Sequence, residues 1–127
     1  MFIGVTTDGK ISICGTPAKH IRGNVYLDQY DLIVVKIPDE GPLRYYPRDH
    51  DDPWYRGKLS DVGNTMIFYR DKYEHPESNR GKVAIIGDIH FLYYESTYDH
   101  SYEFGKLKIV GDVTITYDTN GRIKTIG

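Results

Sequence analysis

Three pairs of an acid and a histidine recur in the chain at a nearly constant spacing. Successive histidines are 25 residues apart in the pairs Asp49-His50, Glu74-His75 and Asp99-His100. Imidazole and carboxylate groups are ligands that Zn²⁺ and other divalent transition metals prefer. If the segments that carry the pairs lie side by side, the three histidines form a candidate metal site, with nearby carboxylates as general bases of a hydrolytic enzyme. The alternative is that the pairs are solvated residues of polar loops.

The same segments are rich in aromatic and arginine side chains. The chain has 12 tyrosines and one tryptophan. Tyr, Trp and Arg are the residues most enriched where proteins bind their partners. We predict a surface for a protein partner or a small anionic ligand, formed by Arg48, Trp54, Tyr55, Arg56, Tyr73, Tyr98 and Tyr102. The alternative for tyrosine is cross-strand pairing that stabilises a sheet.

A repeat of 24 residues sets the spacing of these segments. Four blocks open with Gly-Lys and carry a second glycine six residues later. The last four blocks carry a tyrosine twelve residues after their start, at Tyr45, Tyr69, Tyr93 and Tyr117, and we assign this column mainly to sheet pairing. The predicted single domain, 1–127, thus divides into the blocks 9–32, 33–56, 57–80, 81–104 and 105–127. Agreement of several positions at one period indicates a repeat architecture.

Each block has the pattern of a β-hairpin. Apolar residues alternate with polar ones, which is typical of a strand with one buried face. Gly-Asn or Gly-Asp separates two such runs at 63–64, 87–88 and 111–112, and these pairs favour a tight reversal. Asn120-Gly121 predicts one more turn, followed by a strand at 122–126. In the second block, Pro38 predicts an edge strand or a bulge.

The predicted fold is all-β, without helices, and the hairpins can be arranged in two ways. Stacked side by side, they form an antiparallel meander or solenoid-like sheet, and the polar segments 47–56, 70–80 and 95–104 emerge from one edge. Closed on themselves, they form a partly closed barrel without exposed edges. We favour the stacked sheet, and its unpaired edge strand makes a homodimer plausible.

Two features resemble known repeat families. The Gly-Lys openings with spaced glycines and tyrosines resemble MORN-type hairpin repeats, although the further internal glycine of that pattern is absent here. The segment TYDTNGRI, at 116–123, resembles the tyrosine-aspartate repeats of Rhs-type proteins at one site only. Neither resemblance carries a function over to this chain.

A third motif is similar to a metal-binding motif. Gly87-Asp88-Ile89-His90 resembles the first motif of calcineurin-like phosphoesterases, but Phe91 stands where a glycine usually follows and the later motifs are missing. The repeat places this tetrapeptide at a hairpin turn, equivalent to 63–66 and 111–114. We therefore assign it no catalytic role.

Composition and charge exclude several classes of protein. The net charge is −2, and no basic run provides the footprint of nucleic-acid binding. Apolar runs reach only four residues, such as 32–35, where a membrane helix needs about 18. The first ten residues lack the pattern of a secretory signal, so a cytoplasmic location is expected. The single cysteine, Cys14, excludes an internal disulfide and is predicted to pack in a strand.

We predict a non-enzymatic binding module that presents Tyr-, Trp-, Arg- and His-rich loops to its partner. Small inhibitor or adaptor proteins of viral or bacterial origin are often built in this way. This interpretation needs no cofactor, and the chain has no nucleophile elbow or phosphate-binding loop. Two alternatives remain: the zinc-dependent hydrolase described above, and a structural repeat protein in a larger assembly.

Overall fold

The computed structural model describes residues 1–13, 15–95 and 101–127. In these ranges the chain forms thirteen strands in two antiparallel sheets, with two short 3₁₀ turns, Glu77–Asn79 and Ser101–Glu103, and no α-helix. The predicted all-β fold is therefore confirmed. Predictions that concern Cys14, Tyr98 and the pair Asp99-His100 stay predictions, because these residues lie outside the described ones.

The smaller sheet comes from the start of the chain and has five strands in the order β2-β1-β5-β4-β3. The strands are β1 (Phe2–Val5), β2 (Ile11–Ser12), β3 (Lys19–Arg22), β4 (Val25–Leu27) and β5 (Ile33–Lys36). β5 pairs with β1 on one side and with β4 on the other, without a register shift. The edge strand or bulge predicted at Pro38 is thus wrong, because β5 is a central strand that ends before the proline.

The larger sheet has eight strands in chain order, which is a simple meander. The strands are β6 (Leu43–Tyr45), β7 (Leu59–Val62), β8 (Thr65–Tyr69), β9 (Val83–Ile86), β10 (Ile89–Tyr93), β11 (Leu107–Val110), β12 (Val113–Tyr117) and β13 (Ile123–Ile126). The sheet is open, with β6 and β13 at its two edges. The meander favoured from the sequence is confirmed, and so is the predicted last strand. The blocks do not all stack in one row, however, because the first block and part of the second form the smaller sheet.

Glycine turns join the paired strands of the last three blocks. Gly63, Gly87 and Gly111 all have positive φ, at 57°, 61° and 62°. In the β9–β10 hairpin, Ile86 pairs with Ile89, so the loop contains only Gly87 and Asp88. A glycine with positive φ at the first of two loop residues is typical of a type II′ turn, whose twist matches that of the strands. The hairpin turns predicted from the repeat are therefore confirmed.

Replacing Gly87 by valine is expected to lower the free energy of unfolding by about 1–3 kcal/mol, because a β-branched residue is strained at positive φ. An added Cβ would also lie 3.3 Å from Thr65 Cγ2. The matched control is Gly87→Asn, since asparagine, unlike valine, is among the residues found at the positive-φ positions of such turns. Urea unfolding followed by circular dichroism measures both variants. Equal stability of the valine and asparagine variants would contradict the turn geometry.

The two sheets share one hydrophobic core. Strands β8, β10 and β12 of the larger sheet alternate between more buried and more exposed residues, as in β8, where Thr65, Ile67 and Tyr69 are buried. Their inward side chains pack in one cluster with those of the smaller sheet, such as Ile3 and Val35. Backbone bonds reinforce this packing: Val83 N donates to Gly9 O at 3.0 Å. No helix among the described residues is long and apolar enough to cross a membrane.

The long polar segments all leave the same end of the larger sheet. Successive connections of an antiparallel meander alternate between its two ends, so the glycine turns occupy one end and the long segments the other. Each segment is closed at its base by equivalent backbone bonds of 2.8–2.9 Å: Tyr46 N to Lys58 O, Arg70 N to Lys82 O, and Tyr94 N to Lys106 O. The meander therefore holds the bases of these segments in a row.

Candidate functional site: a cleft beside Trp54

A cleft of about 680 Å³ lies where the β1–β2 turn of the smaller sheet meets the long segments of the larger one. Its apolar residues are Ile11, Ile13, Leu59 and the aromatic side chains of Tyr45, Trp54 and Tyr69. Its polar and charged residues, with two glycines, are Asp8, Gly9, Lys10, Lys58, Ser78, Arg80, Gly81 and Lys82. A concave, mostly apolar site with a few convergent polar groups is the usual form of a ligand pocket.

Three lysines of the Gly-Lys pairs, Lys10, Lys58 and Lys82, line the cleft. Three of the four lysines of these pairs donate a hydrogen bond from Nζ to the carbonyl oxygen of a later glycine: Lys58 to Gly81 at 2.7 Å, Lys82 to Gly105 at 2.5 Å and Lys106 to Gly121 at 3.1 Å. In the first two bonds, the acceptor is the glycine that opens the next block. The ladder of Lys–Gly bonds therefore ties neighbouring blocks together, which the sequence prediction of a simple turn entry did not foresee.

The tyrosines of the repeat form the layer beneath this ladder. Tyr69, Tyr93 and Tyr117 are buried, and each donates from Oη to a backbone carbonyl oxygen at 2.6–2.8 Å. The Nζ atoms of Lys58, Lys82 and Lys106 lie 5.0–5.3 Å from the centres of the same rings, within range of a cation–π interaction. Burial raises the pKa of all three phenols, so they remain protonated donors at neutral pH. These three tyrosines therefore have a structural role in the core, opposite Val83, Leu107 and Ile123 rather than paired with one another, whereas Tyr45 is 52% exposed.

Trp54 covers the cleft from the first long segment. Its backbone N–H donates to Asp52 Oδ1 at 2.9 Å, and the same carboxylate accepts from Lys72 N at 3.0 Å, which fixes the segment against its neighbour. An added Cβ at Gly81 would lie 3.0 Å from Trp54 Cε3 and 2.6 Å from Lys58 Nζ. Glycine at this position therefore lets the indole ring and the ammonium group approach the same point of the backbone.

The cleft is strongly cationic for a protein with a net charge of −2. Lys10, Lys58, Arg80 and Lys82 line it, against the single carboxylate of Asp8. Burial lowers the pKa of Lys58; the charge of Asp52 opposes this shift, and the charge of Lys10 adds to it. Burial also lowers the pKa of Lys82, and Asp8 opposes that shift. Lys10 and Lys58 thus repel each other electrostatically within the site.

Of the predicted binding residues that the structure describes, which exclude Tyr98, only Trp54 lines the cleft. Tyr55 is half-buried and donates from Oη to Tyr69 O at 2.7 Å, so it holds the base of its segment. Tyr102 is half-buried and packs against the core. The remaining predicted residues are exposed and point to no common site: Arg48, Arg56, which donates from Nε to His50 O at 2.7 Å, and Tyr73, which lies beside Lys72.

The histidines predicted to bind metal have separate surroundings where the structure describes them. The His50 ring stacks on Tyr55 with 5.2 Å between ring centres, and its Nδ1 accepts a hydrogen bond from Asp52 N at 3.0 Å. His75 is exposed. Among residues 1–13, 15–95 and 101–127, no group of three or more His, Cys, Asp or Glu side chains could hold a metal ion. Because His100 lies outside these ranges, the three-histidine site stays a prediction that calorimetric titration with Zn²⁺ can test.

Sequence reasoning missed most of the residues that form the cleft. Lys10, Lys58 and Lys82 belong to the recurrent Gly-Lys pairs, and their regular recurrence is the signal that could have drawn attention to them. Tyr45 was grouped with the buried tyrosines because it occupies the same position of the repeat. Its strand, β6, is an edge strand, which leaves one side of the ring open to the cleft.

Comparisons of the chain with protein-family models, with curated proteins and with solved structures find no match. The function is therefore inferred from the chemistry of the cleft and of the residues around it.

Proposed function

We propose that this protein is a non-enzymatic binding module and that the cleft beside Trp54 is its ligand site. The observation that carries the proposal is the combination of a volume of about 680 Å³ with an apolar lining and two exposed aromatic rings, those of Trp54 and Tyr45. Ligand pockets for small molecules typically measure about 300–1,000 Å³ and bind through such surfaces. The ligand is either a small molecule or a side chain of a partner protein that enters the cleft.

The ordered side chains that line the cleft favour ligand binding. A site whose groups are already ordered loses less conformational entropy when it binds, which increases the affinity for a given contact area. The Lys–Gly ladder and the buried tyrosines fix Lys58, Tyr69 and Gly81 before any ligand arrives. The segment that carries Trp54 is held by the Asp52 carboxylate, which accepts hydrogen bonds from the backbone N–H groups of Trp54 and Lys72. These contacts support binding by a preformed site.

Replacing Trp54 by alanine is expected to weaken binding at least tenfold and to change the free energy of unfolding by less than about 1 kcal/mol, since the side chain is partly exposed. The probes are 2-naphthamide and 2-naphthoate, two bicyclic aromatic compounds of similar shape, and calorimetry measures their affinity. The matched control is Tyr73→Ala, which removes an aromatic ring that is 74% exposed and lies outside the cleft. Unchanged affinity for both probes in the Trp54 variant would contradict the proposed site. Loss of folding would instead place Trp54 in the core.

The wild-type protein offers a direct signal for this test. Trp54 is the only tryptophan in the chain, so its indole N–H gives a single side-chain resonance in a nitrogen–proton correlation spectrum. Saturable movement of that resonance on addition of either naphthyl probe supports the proposal. The cytoplasmic location and the protein partner predicted from the sequence remain part of this proposal.

A further inference from the structure

We propose that the cleft selects an aromatic anion: a planar ring that lies against Trp54 and bears a carboxylate, sulfonate or phosphate group facing Lys58 and Lys10. This inference rests on the proposed function, because it names the chemical class of the ligand for the same site. It makes a stricter claim than the proposed function, since a neutral aromatic ligand would satisfy the first proposal and contradict the second.

The positive charges that line the cleft are only partly compensated by the protein, through Asp8, Asp52 and Glu77. Arg80 is partly neutralised, because its Nη1 lies 3.1 Å from Glu77 Oε1. In the part of the chain that the structure describes, no ion pair involves Lys10, Lys58 or Lys82. The hydrogen bond to Gly81 O uses one of the three donors of the Lys58 ammonium group. The cleft therefore combines excess positive charge with donors that a bound anion could use.

Lys10 and Lys58 both line the cleft, so their like charges are brought into one site. Lys58 is half-buried, and burial lowers its pKa; the charge of Asp52 opposes this shift, and the charge of Lys10 adds to it to a smaller extent. An anion between the two ammonium groups would attract both of them and offset their mutual repulsion. Such charge-assisted hydrogen bonds are about twice as strong as those between neutral groups.

The positions of the ring and of the charge fit a single small ligand. Trp54 Cε3 and Lys58 Nζ both lie against Gly81, at 3.0 Å and 2.6 Å from the position that its Cβ would occupy. An aromatic ring and an ammonium group are thus neighbours on the wall of the cleft. A ligand whose anionic group is attached directly to its ring can contact both, whereas inorganic phosphate can contact only the charge.

The test compares three ligands of nearly the same shape: the anion 2-naphthoate, the neutral 2-naphthamide and the cation 2-naphthylmethylammonium. We expect 2-naphthoate to bind about tenfold more tightly than the amide and the ammonium compound to bind most weakly. The dissociation constants come from the shift of the Trp54 indole resonance at low ionic strength. Added salt is expected to reduce the difference in dissociation constant between 2-naphthoate and 2-naphthamide, because it screens the charges of an open cleft.

Lys10→Gln tests the role of charge with little risk to the fold, because Lys10 is exposed. We expect this variant to bind 2-naphthoate about three- to tenfold more weakly and to lose a smaller part of its affinity for 2-naphthamide. Lys124→Gln is the matched control: it removes an exposed lysine from β13, which does not line the cleft, and should change neither affinity. An equal loss of 2-naphthoate affinity in both variants would show a general charge effect and overturn the proposal.

The outcomes separate the two proposals. Equal binding of the acid and the amide, with movement of the Trp54 resonance, overturns the anion inference and leaves the cleft as a binding site. Preference for the ammonium compound overturns the anion inference as well. If none of the three ligands moves the resonance at millimolar concentration, the proposed function itself is contradicted.

Discussion

Replacing Tyr93 by alanine is expected to lower the free energy of unfolding by about 3–5 kcal/mol, the usual effect of truncating a large aromatic side chain in a core. Tyr93 is 5% exposed and donates from Oη to Val83 O at 2.6 Å. Its ring also faces two cations, with Lys82 Nζ at 5.3 Å and Arg70 Cζ at 5.7 Å from its centre. The substitution therefore removes buried area, a buried hydrogen bond and two cation–π contacts at once.

Urea unfolding of Tyr93→Ala and of a matched control, Tyr30→Ala, measures this effect. Tyr30 is 81% exposed, so its substitution should change stability by no more than about 0.5 kcal/mol. Tyr93→Phe isolates the hydroxyl group and should lower stability by about 1–3 kcal/mol, because it leaves the carbonyl group of Val83 without that donor. A loss of less than 1 kcal/mol for Tyr93→Ala would contradict a repeat that is held together by its buried tyrosines.

The second large effect is expected at Gly9, where the β1–β2 turn of the smaller sheet meets the larger one. Gly9→Ala should lower the free energy of unfolding by about 2–4 kcal/mol, since positive φ destabilises an alanine by about 1 kcal/mol and overpacking by about 1–3 kcal/mol. The φ angle of Gly9 is 85°, and an added Cβ would lie 2.5 Å from Tyr93 Oη and 2.8 Å from Lys82 Cβ. The turn would have to move away from the larger sheet to accommodate the methyl group.

A second glycine allows the two causes to be separated. Gly23 also has positive φ, at 55°, but an added Cβ there would meet no atom within 4 Å. Gly23→Ala therefore carries only the conformational strain, about 1 kcal/mol. The difference in stability between the two variants, measured by the same urea titration, reports the close packing of the two sheets. If both variants lose the same stability, the contact between Gly9 and Tyr93 is absent in solution.

The regular part of the fold could be predicted from the sequence because its determinants are local. Glycine at the first turn position, alternation of apolar residues and a fixed tyrosine together specify each hairpin of the larger sheet. The smaller sheet could not be predicted in this way. Its centre depends on the pairing of β1 with β5, in which Phe2 lies opposite Lys36. No local pattern records a pairing between segments so far apart in the chain, and the repeat begins only after β1.

In the candidate site, too, features with a local sequence signal could be predicted and features that depend on long-range contacts could not. Trp54 was predicted as a binding residue because aromatic side chains in polar loops often contact ligands. Lys58 and Lys82 were predicted to do no more than begin a turn, since Gly-Lys recurs in four blocks. Their role depends on the stacking of one block on the next and on the position of the smaller sheet beside them. The stacking of the blocks and the position of the smaller sheet are tertiary properties, and they cannot be predicted from the repeat pattern alone.

The central claim, that ligands bind beside Trp54, is tested most directly by intermolecular nuclear Overhauser effects between bound 2-naphthoate and the protein. We expect contacts from the ligand ring to the Trp54 indole and to the methyl groups of Ile11, Ile13 and Leu59, which line the cleft. The outer face of the larger sheet offers a competing apolar surface, because Met66, Phe68 and Leu92 are each 40–44% exposed there. Contacts to those three side chains, without contacts to Trp54, would contradict the account.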